Sequence, residues 1–201
     1  MTILLHGFKL SGHSHRAELM LNLLDLPYEF RNVDLRAGVQ RTPEFLALNP
    51  FGAVPVIEDG DIVIADSVAI LVYLATRYDP DRRWLPADPV AAARVQRWLS
   101  VAQGLVAFGP ALARVIKLFG APLDHARAVT LATALLKVLE QELSRSPFLT
   151  GAEPTIADVA VYSYVARAPE GDIALDDYSA VRAWLGRIEA LPGFLPMPAS
   201  R

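Results

Sequence analysis

Apolar and polar positions recur along this chain with two different periods, and the change of period divides it. Ile3-Leu4-Leu5 is a short apolar run of the kind that forms a buried strand. Ala17, Met20, Leu21 and Leu24 then fall at i, i+3, i+4 and i+7, the spacing of an amphipathic helix. Leu26-Pro27 ends that helix, and Tyr28-Glu29-Phe30-Arg31 alternates as a second strand, which a crossover of this length can set parallel to the first. Thr42-Pro43-Glu44 supplies a capping hydroxyl, a proline at the first helical position and an acidic first turn, so a short helix is predicted there. Two strands, Val54 to Glu58 and Asp61 to Ile64, flank the hairpin dipeptide Asp59-Gly60. Val68, Leu71, Val72 and Ala75 return to the helical spacing, which completes the order β-α-β-α-β-β-α.

After Tyr78 the pattern changes. Three prolines and several charges between Tyr78 and Pro89 forbid helix continuation, and a boundary is expected there: residues 1–78 form one domain, 79–88 a linker and 89–201 a second domain. Beyond it every periodic segment is helical, punctuated at Gly104, Gly109-Pro110, Gly120-Ala121-Pro122, Pro147, Gly151, Pro169 and Pro192-Gly193. Thr155-Ile156-Ala157-Asp158 has the form of a capping box, whose first job is to start a buried helix. The expected fold class is thus an α/β domain followed by an all-α helical bundle.

Composition narrows the function classes. The chain has 201 residues and 53% hydrophobic content, enough for a sizeable core in a folded globular protein. A net charge of −3, with no run of Lys or Arg, leaves no electrostatic footprint for nucleic acid or an anionic membrane. The first residues lack a basic leader region, and no apolar run nears the roughly 18 residues of a membrane span, so a cytoplasmic protein is expected. There are no cysteines, so any thiol chemistry must come from a bound thiol.

The segment Asn49-Pro50-Phe51-Gly52-Ala53-Val54-Pro55-Val56-Ile57 carries the sharpest chemistry. A proline at the head of a strand donates no N–H and leaves a sheet edge on which an extended peptide can pair, with Val54 offering the pairing groups. One hairpin later Ala65-Asp66-Ser67 opens a helix, where N–H groups and the positive end of the dipole meet a carboxylate while the Asp66 side chain can hold an ammonium. Carboxylate and ammonium are the two ends of a γ-glutamyl group. By itself Asp66-Ser67 also reads as an ordinary helix start, and Val54-Pro55 as an ordinary trans dipeptide. The whole pattern resembles the glutathione transferase family, and the resemblance runs from Thr2 to about Pro198.

That resemblance implies a thioredoxin-like first domain, a cis Val54-Pro55 bond and a ligand clamp at Asp66-Ser67. Free thiols titrate near 8.5, and the thiolate is the nucleophile, so activating glutathione means lowering that value. Ser11, in Phe8-Lys9-Leu10-Ser11-Gly12-His13-Ser14-His15, stands where the serine-dependent transferases, phi-like, theta-like and many bacterial forms, carry the serine that donates to the glutathione sulfur. Ser11 or Ser14 reads equally as a helix N-cap, and Ser14 is the alternative sulfur partner. Gln40 and Arg41 lie where relatives hold the glycyl carboxylate, or simply in a solvated loop. Two departures stand out, Lys9 where many relatives have Pro and Ala53 where many have Gln.

Phe108, Leu112, Val115 and Phe119, spaced three or four apart, are candidate walls of an electrophile pocket or plain bundle core, and Arg114 either polarises an electrophile or faces solvent. Phe51, between Pro50 and Gly52, is expected to anchor a two-fold homodimer, unless it folds back into its own core. His13 and His15 form an H-x-H with no partners to complete a metal shell. Trp84, Trp98 and Trp184 read as core or linker anchors. The function implied is conjugation of glutathione to small apolar electrophiles without a metal. A glutathione-dependent peroxidase or isomerase, or a non-catalytic carrier on the same fold, is the competing reading.

Overall fold

A computed structural model describes residues 2–200. The first part forms β1 (Ile3–Gly7), α1 (Gly12–Leu23), β2 (Tyr28–Asn32), a 3-10 turn (Val39–Arg41), α2 (Pro43–Leu48), β3 (Val56–Asp59), β4 (Ile62–Ala65) and α3 (Ser67–Tyr78). The sheet order is β2-β1-β3-β4, with β1 parallel to β2 and antiparallel to β3. The crossover through α1 makes the parallel pair possible, and the Asp59-Gly60 hairpin, with Gly60 at φ 61°, sets the register of β3 on β4. The Val54-Pro55 bond is cis, as the family pattern implies.

The second part is helical: α4 (Pro89–Val101), a π-helical stretch (Ala102–Ala111), α5 (Leu112–Phe119), α6 (His125–Leu143), α7 (Ile156–Ala166), a 3-10 turn (Ala168–Gly171) and α8 (Ser179–Glu189). The capping box forms as its sequence predicts: Thr155 Oγ1 accepts from the Ala157 N–H, and Asp158 Oδ2 accepts from the Thr155 N–H at 2.9 Å. Asp158 Oδ1 also accepts from Trp184 Nε1 at 2.9 Å and from the Leu149 N–H at 3.0 Å, so three separate segments converge on one buried carboxylate. Trp98 Nε1 donates to the Leu149 carbonyl at 3.0 Å, and the Trp84 carbonyl accepts from the Ile156 N–H at 2.9 Å. The tryptophans are therefore core and linker anchors.

α7 is buried on nearly every side and packs against α1, α3 and α4. Leu19, Met20 and Leu21 of α1 share one continuous core with Val159, Ala160 and Val161 of α7, so the two parts are joined by apolar packing. His15 adds a polar tie, its Nε2–H donating to the Leu195 carbonyl at 2.8 Å and its Nδ1 accepting the Ser163 hydroxyl at 2.9 Å.

One sequence expectation needs correction. The continuous helical run Pro89–Phe119 is long and apolar enough, by length and composition, to cross a membrane. Arg94, Arg97, Ser100, Gln103 and Arg114 interrupt its apolar sequence without ending the helix. Its buried residues, Val95, Trp98, Leu99, Ala102 and Val106, belong to the same core as α6 and α7.

Candidate functional site

Two cavities reach the N-terminus of α1, one lined by His13 and the other by Ser11. The first, of about 470 Å³, is lined by His13, Asn49, Phe51, Val54, Pro55, Asp66, Ser67 and Gln103 among others. Its floor is the loop that the sequence singles out. Asn49 shapes that loop from within, its Nδ2 donating to the Ala53 carbonyl at 2.8 Å and its Oδ1 accepting the Phe51 N–H at 3.1 Å. Gly52 is required there twice over, by a φ of 58° and because a Cβ would come within 2.8 Å of the Gln40 carbonyl oxygen. Val54 precedes the β3 ladder, whose register on β1 starts at Val56, and so its peptide groups lie outside the sheet.

Asp66 caps α3, its Oδ1 accepting from the N–H groups of Val68 at 2.8 Å and Ala69 at 3.0 Å. Those two N–H groups are thus already engaged, which leaves the first turn less open to a ligand carboxylate than a bare helix start. Asp66 itself is solvent-accessible. Its Oδ2 accepts from Gln103 Nε2 at 2.6 Å, a contact from the second domain that sequence reasoning missed. Glutamine in a helix carries no local signal of a partner 37 residues earlier in the chain.

Ser67 is buried, its Oγ lying 3.1 Å from His13 Nδ1 and 3.3 Å from Arg16 Nη1. Arg16 Nη1 also donates to His13 Nδ1 at 2.9 Å. Burial, and then the Arg16 charge, push the His13 pKa down to about 3, so its ring is a neutral acceptor at physiological pH. Burial also lowers Arg16, to about 10, and it stays cationic beneath the cleft. Gln40 and Arg41 stand on the 3-10 turn behind the loop and outside this cavity wall: Gln40 Nε2 turns inward toward the Leu35 carbonyl at 3.4 Å, and Arg41 is exposed.

The second cavity, of about 350 Å³, is lined by Phe8, Leu10, Ser11, Leu35, Arg36, Arg114, Val115, Phe119 and Tyr164. Ser11 is half-buried and is the N-cap of α1, with its Oγ accepting the Ser14 N–H at 3.3 Å. As a cap it spends a lone pair and keeps its O–H proton. Ser14 is 1% exposed, its Oγ accepts the Phe8 N–H at 3.1 Å, and it lines neither cavity. The Tyr164 ring lies on Gly12, where a Cβ would come within 2.7 Å of it. Only glycine lets α7 approach the start of α1 this closely.

Phe108 and Leu112 face elsewhere. They line a separate cavity of about 730 Å³ with Leu105, Leu123, Arg127 and Leu131, against α6. Equal spacing groups Phe108, Leu112 and Val115, but two cavities lie along this run: Val115 and Phe119, further along α5, line the Ser11 cavity and the other two do not. A π-helical turn with a kink at Gly109, φ −97° and ψ −105°, precedes Pro110 and α5. Phe51 is 84% exposed and does not fold back into its own core. Among the described residues no group of three or more His, Cys, Asp or Glu side chains is placed to hold a metal.

Comparison with known proteins agrees along the chain. Residues 10–77 match the family model of the glutathione S-transferase N-terminal domain, and residues 110–187 that of the C-terminal domain. The chain is 35% identical over 216 residues to glutathione S-transferase 3 of Zea mays, covering 96% of this chain and 95% of that one. It is 33% identical over 177 residues to the human glutathione S-transferase theta-2, covering 84% of this chain and 72% of the relative. A crystal structure of a glutathione S-transferase from Pseudomonas fluorescens superimposes with a TM-score of 0.93 at 34% identity, covering 99% of this chain and all of that one. A glutathione transferase homolog from Drosophila mojavensis, solved with bound glutathione, gives a TM-score of 0.84 at 31% identity over 95% of this chain and 89% of its own.

Proposed function

The chain belongs to the glutathione S-transferase family and is a glutathione transferase, and on that premise we propose which residues carry the reaction and how. Glutathione lies extended along the first cavity, its backbone pairing with Val54 beside Pro55, its γ-glutamyl end at Asp66 and Ser67, and its glycyl end toward Gln40 and Arg41. The Asp66 carboxylate takes the ammonium while Gln103 steadies it. The sulfur then falls at the N-terminus of α1, where the Ser11 hydroxyl donates to it and the helix dipole favours the anion. The single observation that supports this most is that the two cavities are lined by residues two apart at the start of α1, Ser11 on one and His13 on the other.

The electrophile occupies the second cavity, between Val115, Phe119 and Tyr164, with Phe108 and Leu112 outside it. The protein's contribution is pKa lowering and positioning of the thiolate. No side chain supplies a redox sulfur, since the chain has no cysteine, so reduction through a protein mixed disulfide is not available to it. Glutathione as the partner thiol and the lack of cysteine both support a cytoplasmic, detoxifying role in a reducing compartment. With the division into residues 1–78, a linker at 79–88 and residues 89–201, each cavity draws walls from both domains, the first domain supplying most of the glutathione wall and the second Arg114, Val115, Phe119 and Tyr164 of the electrophile wall. We further infer a two-fold homodimer anchored by the exposed Phe51.

Ultraviolet titration of bound glutathione tests the core of this reading. A thiolate band that persists at neutral pH and is lost in Ser11→Ala is the expected result. A band unaffected by that substitution removes Ser11 from the reaction.

A further inference from the structure

The peptide unit that leads into Ser11 is held at both ends, and one of the holds comes from the second domain. Residues 8–11 link β1 to α1 without helix or strand of their own. The Ser11 N–H donates back to the Phe8 carbonyl at 2.8 Å, and the Phe8 N–H donates to Ser14 Oγ at 3.1 Å. Lys9 is tied down beside them, its Nζ 2.6 Å from Glu18 Oε1 and 3.7 Å from the centre of the Phe30 ring. Those contacts stay within the first domain. The Leu10 carbonyl instead accepts from Arg114 Nη1 at 2.7 Å, across 104 positions of sequence.

A peptide group is planar, so fixing the Leu10 C=O and the Ser11 N–H together fixes the plane from which the Ser11 Cα and its side chain project. The Arg114 hold is firm. Arg114 lies on α5, 1% exposed, and its Nε donates to Glu170 Oε2 at 2.6 Å. Glu170 stands on the 3-10 turn at Ala168–Gly171, and its Oε1 accepts the Ser200 N–H at 3.3 Å. That turn presses on α5, since a Cβ at Gly171 would come within 2.7 Å of the Arg114 backbone nitrogen. A planar guanidinium gripped at Nε presents Nη1 in one direction, and a charged donor binds a carbonyl more strongly than a neutral one.

Resting on the reading of Ser11 as the donor to the glutathione sulfur, we propose that Arg114 is a positioning residue that aims the Ser11 hydroxyl from the second domain, through the Leu10 carbonyl. A hydrogen bond weakens steeply as it leaves its line, so a rotation of the Leu10-Ser11 plane lowers the preference for thiolate over thiol. The grip on the rest of glutathione does not depend on that plane, because Leu10, Arg114 and Glu170 line none of the cavity walled by Val54, Asp66 and Ser67. Arg114 therefore bears on ionisation of the thiol rather than on affinity. Glu170, by gripping Nε, shares the role.

The experiment titrates bound glutathione by its thiolate absorbance in the full-length protein, with no electrophile present, so that a contact between Arg114 and that substrate plays no part. Arg114→Met is expected to raise the thiol pKa by at least half the rise caused by Ser11→Ala. Calorimetry with S-methylglutathione, which has no thiol proton to lose, is expected to give the native affinity in the same variant, and a matching loss there overturns the proposal. The double variant separates geometry from charge. A guanidinium acting through Ser11 adds nothing once Ser11 is alanine, whereas one acting on the sulfur by its own field shifts the pKa equally in both backgrounds. Additive shifts, or no shift in Arg114→Met, overturn the proposal and leave Ser11 in place. If Ser11→Ala itself moves nothing, the reading of Ser11 falls and the proposal with it. Should Arg114→Met fail to fold, Glu170→Gln, which loosens the grip on Nε, is expected to raise the thiol pKa with Ser11 present and not in its absence, and no rise overturns the proposal.

Discussion

Gln103 Nε2 donates to Asp66 Oδ2 at 2.6 Å, so a side chain of the helical domain holds the carboxylate that caps a helix of the sheet domain. The same carboxylate caps α3 with its other oxygen, which gives it two structural jobs beside the proposed ligand contact. Those jobs can be separated by substitution.

Asp66→Asn keeps a capping oxygen and removes the charge, since Asn and Asp cap comparably. Losing a charge-assisted hydrogen bond costs about 1.5–3 kcal/mol, so glutathione binding measured by calorimetry should weaken at least tenfold with little change in thermal stability. Asp66→Ala should weaken binding similarly and also destabilise the fold by about 1 kcal/mol through loss of the cap. Unchanged affinity in Asp66→Asn excludes the carboxylate from ligand binding.

Ser11 and Ser14 should separate in the opposite sense. Ser11→Ala is expected to lower turnover more than it weakens glutathione binding, because its hydroxyl favours the thiolate over the thiol. The pKa of the bound thiol should rise in the same variant. Ser14→Ala instead leaves the Phe8 N–H without its acceptor in a buried place and should cost about 1–3 kcal/mol of stability. If Ser14→Ala loses turnover and Ser11→Ala does not, the roles are reversed.

Phe51 is 84% exposed, in a loop that also lines the cavity proposed for glutathione, so in the proposed dimer association would be linked to binding. In a two-fold dimer each substitution removes two anchors of about 2 kcal/mol or more. Sedimentation should therefore show Phe51→Ala shifted toward monomer, with weaker glutathione binding because the loop leads directly into Val54. A native protein that is monomeric at micromolar concentration rules the dimer out.

His15 predicts an acid limit to stability. Burial lowers its pKa to about 4, against 6.5 in an unfolded chain; the Leu195 carbonyl and Glu18 offset this only in part, and Arg167 and Lys9 add to it. A neutral ring suits both of its partners, since Nε2–H donates and Nδ1 accepts. Between pH 6.5 and 4 the unfolded chain binds a proton that the folded one refuses, so this stability is present above the unfolded pKa and is lost as pH falls. Each such histidine contributes a slope approaching 1.4 kcal/mol per pH unit, and His13, lowered to about 3, adds to it. Urea unfolding between pH 7 and 5 should show the loss, and His15→Asn should reduce the slope. The same slope in that variant would mean that other groups carry it.

Much of this molecule is legible in its sequence because the responsible interactions are local. The strand of Ile3-Leu4-Leu5, the Asp59-Gly60 hairpin, the cap at Thr42 and the box at Thr155 to Asp158 each depend on residues a few positions apart, and each forms where its pattern stands. The helix start at Asp66-Ser67 and its place after the Val54-Pro55 strand are legible for the same reason. What lies around that start is not, because it is assembled across the domain junction. Gln103 reaches Asp66, Tyr164 covers Gly12, and Leu10 and Glu170 between them hold a buried arginine, Arg114, on α5. Nor does spacing reveal that Phe108 and Leu112 line one cavity and Val115 another. Periodicity assigns residues to faces of an ideal helix, whereas the faces here are set by where α6, α7 and the 3-10 turn at Ala168–Gly171 pack against a helix that is not ideal.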